Sequence, residues 1–420
     1  MKMKTMLTIA VLGLLIAGCS SEEPNGGKQG GDMVPNQDAK PLPTTKDIVL
    51  SRAEEDAMQR FVDLAFDMNA LINENYTDIF EQNDDNYNFS PISTVMCMSL
   101  IANSVDEVTS ARIAERLGME SLDRLNALNT KLLQYLPAKE NAVDMRLANS
   151  VWYHNSDMVS DSYRDKMAQS FAASVYGCDF NSTASVDEVN AWAARNTENM
   201  ITKIIDKLDA DGEAMFVNAM YFAGCWRSPF DKSATASGTF YGTLGDKNVA
   251  VMNGKFLYKY FADDEIEAVV VPFSEEKYVL DIVMPKDINN VSLTQDVVSK
   301  VHDGGALREV AISLPRFELE MSARLNPVLY HLSLLPVEFT FGQMGFANPR
   351  LINGILMKQN TRFCVDEEGA KAAAVTYGGG VTSPGIEYES VSFNVNRPFY
   401  YIIRNVKTGA IIMMGRVCNI

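Results

Sequence analysis

The sequence predicts one large α+β domain behind an export leader, and three observations predict it. Apolar residues recur at helical spacing through much of the first half. β-Rich apolar runs separated by turn signals dominate the second half. No internal repeat and no regular alternation of strand and helix links the halves, which argues against βαβ units. The chain has 420 residues, 47% of them hydrophobic, enough for a sizeable core.

The leader comes first. Lys2 and Lys4 precede a short apolar run, Met6–Ile16, too short to span a bilayer stably. It ends in Ile16-Ala17-Gly18-Cys19, which resembles the bacterial lipobox and implies cleavage before Cys19 and lipid on its thiol. Several acyl chains on one residue would hold the protein to a membrane. The expected division is a signal peptide at 1–18, a lipidated tether at 19–48 and the folded domain at 49–420. Ser20–Lys46 is rich in Ser, Gly, Pro, Asn, Lys and Asp and reads as flexible, with order beginning near Ser51. The expected location is the bacterial cell envelope, lipid-anchored at the outer membrane on either its periplasmic or its surface side.

Ser51-Arg52-Ala53-Glu54 has the capping-box pattern, and Met58, Phe61, Val62, Ala65, Met68 and Ile72 follow on one helical face. Further helices are expected over Ile92–Ala102 and Val186–Leu208, the latter with Trp192 and Ile201 on its apolar side. Strands are expected at Ile266–Phe273 and Tyr278–Met284 around a Ser274–Lys277 loop. Val391–Val395 alternates with period two. Phe399–Ile403 and Ile411–Val417 flank a Lys407-Thr408-Gly409 turn and read as a buried hairpin.

Function classes narrow by exclusion. Lys and Arg number 37 against 54 Asp and Glu, a net charge of −17, which is unsuited to binding phosphate backbones. The three histidines, His154, His302 and His331, form no H-E-x-x-H motif, and no G-x-S-x-G elbow exists. Gly378-Gly379-Gly380 lacks the Lys-Ser/Thr ending of a phosphate loop. His331 reads as structural, since a lone histidine has no positioned partner. Beside Cys19, the cysteines are Cys97, Cys178, Cys225, Cys364 and Cys418, widely spaced, with no zinc pattern. No catalytic residue, metal or cofactor is expected; one disulfide remains open.

Ordered segments then resemble the serpin family. They are Asn88-Phe89-Ser90-Pro91-Ile92-Ser93, Leu147-Ala148-Asn149-Ser150-Val151-Trp152, Asn190-Ala191-Trp192, Val217–Trp226 with Pro229-Phe230, Leu314-Pro315-Arg316-Phe317, Arg397-Pro398-Phe399 and Gly415-Arg416-Val417. The resemblance implies three β-sheets with about nine helices and an exposed reactive loop, and a central sheet able to accept another strand. It places Trp226 where the loop first enters that sheet, with plain core packing as the simpler account of the indole. It gives Asn218 and Ser90 a part in holding the neighbouring strands. Many serpins carry a histidine in this central region; here Gln359 stands at that place, which offers a donor without a switchable charge.

Glu367-Glu368-Gly369-Ala370-Lys371-Ala372-Ala373-Ala374 is similar to the hinge of inhibitory serpins. If this stretch enters a sheet, alternate side chains face opposite sides. Ala370, Ala372, Ala374 and Thr376 then share one face, all small, while Lys371, Ala373, Val375 and Tyr377 share the other. A charge at position 370 would enter the core unpaired, at a cost of several kcal/mol. Lys371 stands where acidic residues are common in the family. The resemblance therefore implies a suicide-type inhibitor that traps a serine or papain-like cysteine protease as an acyl-enzyme while the cut loop inserts. The alternative is a non-inhibitory serpin, a binding protein or plain substrate. Counting forward from Gly369 puts the cleaved bond at Thr382-Ser383, with Val381-Thr382 and Ser383-Pro384 as rivals; counting back from Pro398 points nearer Glu387. From Ala372 to Asn396 there is no Lys or Arg, so the expected partner is elastase-like, subtilisin-like or papain-like rather than trypsin-like. The chain is expected to act as a monomer.

Overall fold

The computed structural model describes residues 38–74, 76–80, 85–140, 143–154, 159–210, 212–335, 338–346, 351–352, 357–370 and 387–420. Helices dominate the first half of the chain. The capping box forms: Ser51 N–H donates to Glu54 Oε2 at 2.7 Å and Glu54 N–H to Ser51 Oγ at 3.4 Å. It starts α1 (Arg52–Glu74), followed by the one-turn α2 (Tyr76–Ile79) and β1 (Tyr87–Phe89). Ser90 then caps α3 (Pro91–Ala102), in which every residue is buried. Next come α4 (Glu107–Arg116), α5 (Leu122–Tyr135) and β2 (Ala138–Glu140). β3 (Val143–His154), α6 (Asp161–Phe171), β4 (Ala173–Cys178), α7 (Thr183–Asn196) and β5 (Ala214–Cys225) complete this half.

The helix expected to run from Val186 to Leu208 stops at Asn196. Glu198 and Asn199 adopt left-handed φ values of 51° and 59°, which a continuing helix does not allow. The Asn190 side chain then captures the returning chain, accepting from Ile204 N–H at 2.7 Å and Ile205 N–H at 3.1 Å. Trp192 and Ile201 still share one apolar cluster with Trp152 and Val217.

Strands fill the second half: β6 (Ala236–Gly242), β7 (Gly245–Ala262), β8 (Ile266–Pro272) and β9 (Tyr278–Pro285). After α8 (Gln295–Gly304) come β10 (Ala306–Pro315) and β11 (Phe317–Arg324), then α9 (Asn326–His331). β12 (Phe339–Thr340) pairs with β13 (Leu351–Ile352). The chain ends with β14 (Lys358–Val365), β15 (Gly369–Ala370), β16 (Ser390–Asn394), β17 (Phe399–Asn405) and β18 (Ile411–Val417). Nine α-helices are present among the described residues, and none is long and apolar enough to cross a membrane.

The strands make the three expected sheets. One hydrogen-bonded path, β1-β18-β17-β9-β8-β7-β10-β16, contains two of them. They are joined because the 18-residue β7 serves both: its last residues pair with β8, and most of its length pairs with β6 and β10. The third sheet is central and falls into two parts, β11-β14 and β15-β5-β3, with β2 and β4 on the far side of β3. The first part is bolted to the long path. Thr361 Oγ1 donates to Asn88 O at 3.0 Å, and Phe363 stacks on Tyr401 at 4.8 Å. The second part carries α7 on its outer face through Trp152, Trp192 and Val217.

Order begins well before Ser51. Asp38–Lys46, expected within the tether, lies against the folded body: Ala39 N–H donates to Ser174 Oγ at 2.7 Å and Thr45 N–H to Gln134 O at 2.8 Å. Cys19 lies outside the described residues. No disulfide joins any of the five described cysteines.

Candidate functional site

The site begins with a turn after β14. Asp366 Oδ1 accepts from Glu368 N–H at 2.9 Å and Gly369 N–H at 3.1 Å, which reverses the chain within three residues. The returning strand pairs antiparallel with the end of β5, Gly369 opposite Cys225 and Ala370 opposite Gly224. Gly369 has φ +149°, and a Cβ there would sit 1.9 Å from Gly224 O. Only glycine allows this approach. Gly369 and Ala370 thus form a two-residue strand at the end of β5.

Trp226 holds the turn in place. It is buried, stacks on Phe273 at 4.8 Å, donates Nε1–H to Asp366 O at 2.9 Å and its own N–H to Glu368 O at 2.9 Å. The indole thus packs in the core and also fastens the turn before Gly369. Glu367 is 2% exposed, and its carboxylate accepts from Arg316 Nε at 2.9 Å, from Arg316 Nη2 and from the Thr235 hydroxyl. Its carbonyl accepts from Phe230 N–H at 2.9 Å. Burial pushes the Glu367 carboxyl up, but the hydrogen bonds from Arg316 and Thr235 outweigh it and hold the group below its ordinary value. Glu368 forms an ion pair with Lys232, which raises the lysine.

Below the turn, β5 and β14 run side by side, yet no ladder joins them among the described residues. On the outer face, Met200, Tyr221 and Ala223 pack with Cys364, bridging the two strands. The chain after α7 covers β14 there: Asn360 Nδ2 donates to Lys203 O at 2.8 Å and Arg362 Nη1 to Met200 O at 3.1 Å. Within the β5 half, Asn218 Nδ2 donates to Asn149 Oδ1 at 2.7 Å, and Asn149 Nδ2 to Phe171 O at 3.0 Å. Asn218 Oδ1 is buried and accepts no hydrogen bond.

Gln359 does not reach across to Asn218. Its Oε1 accepts from Ser90 N–H at 2.7 Å and its Nε2 donates to Ser90 O at 2.9 Å, while Ser90 Oγ donates to Ile412 O at 2.6 Å. Gln359 and Ser90 therefore fasten β14 to the start of α3 and to β18.

Trp226, Glu367, Glu368, Gly369 and Ala370 come together at the end of β5, while Asn218 lies further along β5 and the Gln359–Ser90 pair at the start of β14. Lys371, Ala372, Ala373, Ala374, Val381, Thr382, Ser383 and Pro384 lie outside the described residues. Glu387 is exposed on the approach to β16. Sequence reading missed Arg316, Thr235 and Lys232 as partners of the hinge acids. A lone arginine at the junction of two buried strands, inside Leu314-Pro315-Arg316-Phe317, was the available signal.

Both ring nitrogens of His302 are engaged, Nε2 with Asp281 and Nδ1 with Arg404, each at 2.9 Å. His331 is exposed at the end of α9. No cluster of metal-ligating side chains occurs among the described residues.

Comparison with known proteins follows this geometry. Residues 63–420 match the family model described as serpin, serine protease inhibitor. Iripin-2 of Ixodes ricinus is 27% identical across 80% of this chain and 88% of its own length. Human neuroserpin is also 27% identical, across 80% of this chain and 86% of its own. The native-state crystal structure of tengpin, a thermophilic serpin, superposes with a TM-score of 0.74 at 24% identity, covering 91% of this chain and 97% of tengpin.

Proposed function

Because the chain belongs to the serpin family, whose members are generally protease inhibitors rather than enzymes, we propose that it is a single-use inhibitor. It traps a serine or papain-like cysteine protease by inserting its cleaved loop between β5 and β14. The observation that carries this reading is the two-residue strand β15, already paired with β5 at the head of an unpaired stretch.

That pairing fixes a register, which can be continued through the sequence. Ala372 would lie opposite Phe222, Ala374 opposite Met220, Thr376 opposite Asn218 and Gly378 opposite Phe216. Small residues thus meet the large core-facing side chains of β5. A hydroxyl meets Asn218 Oδ1, the buried acceptor that lacks a donor. Lys371, Ala373, Val375 and Tyr377 would face outward, opposite Ala223, Tyr221, Ala219 and Val217.

The protease supplies the chemistry. Its nucleophile attacks a loop carbonyl, the amine half leaves, and an acyl-enzyme remains. Cleavage frees the hinge end, and each ladder hydrogen bond then formed contributes roughly 0.5–1.5 kcal/mol net. Loop insertion as strand addition is a known serpin property. A dozen such bonds, at roughly 1 kcal/mol each, can outweigh distortion of the attached protease and stall its deacylation.

The bond at Thr382-Ser383 and the absence of basic residues from Ala372 to Asn396 favour elastase-like, subtilisin-like or papain-like targets. The lipobox-like Cys19 favours a lipid-anchored monomer in the bacterial envelope. Two experiments test the two parts. Mixing with elastase should give a covalent band on a denaturing gel, with mass spectrometry placing the cut between Val381 and Glu387. Cleavage without a covalent band would instead indicate a plain substrate. Labelled palmitate should enter the wild type and not Cys19→Ala; equal labelling would remove the anchor.

A further inference from the structure

Residues 38–50 cross between the two parts of the molecule that an added strand must push apart. At one end, Ala39 N–H donates to Ser174 Oγ on β4 at 2.7 Å, Tyr176 on β4 donates to Asp38, and Arg195 on α7 lies 3.7 Å from the same carboxylate. β4 and α7 belong to the β5 half of the central sheet. At the other end, Asp47 is paired with Lys407, in the turn between β17 and β18. Those strands carry the β14 half through Phe363 on Tyr401 and Phe317 on Phe399. Between the two ends Leu42 packs against the core; just past Asp47, Ile48 is buried in it and Leu50 packs against it. Pro41 and Pro43 fix two φ angles, so the segment adapts poorly when its end points shift.

Opening a position for a new strand moves the halves apart by about 4.8 Å. We propose that Asp38–Leu50 is a strap that resists this movement and sets how slowly the uncut loop inserts on its own. It keeps the inhibitor in its loaded form, since spontaneous insertion would consume the bait before a protease arrives. The strap rests on the insertion reading given above.

The test uses the full chain carrying Asp38→Ala together with Asp47→Ala, and separately Ile48→Ala. Each protein is held at raised temperature, and conversion to a urea-resistant monomer is followed on transverse urea gels. Both variants should convert about 5-fold faster than wild type, the scale expected from losing a few partly exposed polar contacts or one buried anchor. Equal or slower rates, or no conversion in either variant, would overturn the strap. So would an Ile48→Ala protein that melts earlier yet converts at the wild-type rate. Covalent complex formation with elastase, measured on the fresh proteins, reports separately on inhibition. If it is absent in wild type as well, the inhibitory reading fails while the conversion rates still decide the strap.

Discussion

The long path of strands and the central sheet are built from similar residues, yet their hydrogen bonding differs. In the long path every strand from β1 to β16 has a partner ladder on the sides the path requires. Its core is packed with residues such as Ile282, Ile402 and Met414, each at most 1% exposed. In the central sheet, β5 and β14 lie adjacent without a ladder, and Asn218 Oδ1 is buried beside them without a donor. Backbone and side-chain polar groups in protein interiors are otherwise almost always paired. Unpaired buried side-chain atoms also occur in the long path, at Asn88, Tyr258, Asp281 and Tyr401. The difference therefore lies in the backbone: the long path is joined ladder to ladder, while β5 and β14 are neighbours without one among the described residues.

The largest change should come from blocking a strand between β5 and β14. On the insertion reading, period-two parity turns position 370 toward the core, so Ala370→Arg would bring in an unpaired charge at a cost of several kcal/mol. Covalent complex with elastase should fall more than 10-fold, and turnover of the loop as substrate should rise to match. An unchanged complex yield would mean that position 370 does not enter the sheet.

A change in the long path should act differently. Ile282→Ala should lower stability by about 2–5 kcal/mol in both intact and loop-cleaved protein, leaving the complex yield of the folded fraction unaltered. Calorimetry of the two forms checks this; a loss confined to one form would break the contrast.

The Glu367–Arg316 latch beside the end of β5 comes next. Glu367→Gln should destabilise the intact form by about 1–3 kcal/mol at pH 7, because Arg316 loses its charged acceptor. Glu367 has a lowered pKa, so its contribution is complete above its ordinary 4.5 and is lost as pH falls through the lowered value. The Tm gap between wild type and Glu367→Gln should therefore be widest near neutral pH and close in acid. A gap independent of pH would contradict the latch.

The smallest effect should come from Asn218→Ala. The intact form gives up one bond to Asn149 but also an unpaired buried acceptor, so its stability should move by less than about 1 kcal/mol. The cleaved form should lose more than the intact form, because Thr376 would lose its acceptor. Equal losses in the two forms would show that no bond forms there on insertion.

Much of this contrast was readable in the sequence. The capping box at Ser51, the hairpin around Lys407 and the strand at Tyr278–Met284 are local signals, and local hydrogen bonding realises them. The small face from Ala370 to Thr376 follows from period-two parity alone. The Glu367 latch did not show, because Arg316 and Thr235 lie 51 and 132 positions away and leave no periodic trace. The early end of α7 hid behind good helix-forming residues, since Glu198 and Asn199 take left-handed conformations imposed by the captured return of the chain. The seating of residues 38–50 was masked by a composition typical of linkers; its anchors, Asp38, Asp47 and Ile48, are single residues spaced along it.

The most direct measurement compares melting of the intact protein with that of the same protein cut once in its loop by an elastase-like enzyme. A dozen new ladder bonds at roughly 1 kcal/mol each, with each kcal/mol moving Tm by about 2 °C, predict a rise of about 20 °C or more. A cut protein that melts at or below the intact one would mean that no strand enters between β5 and β14.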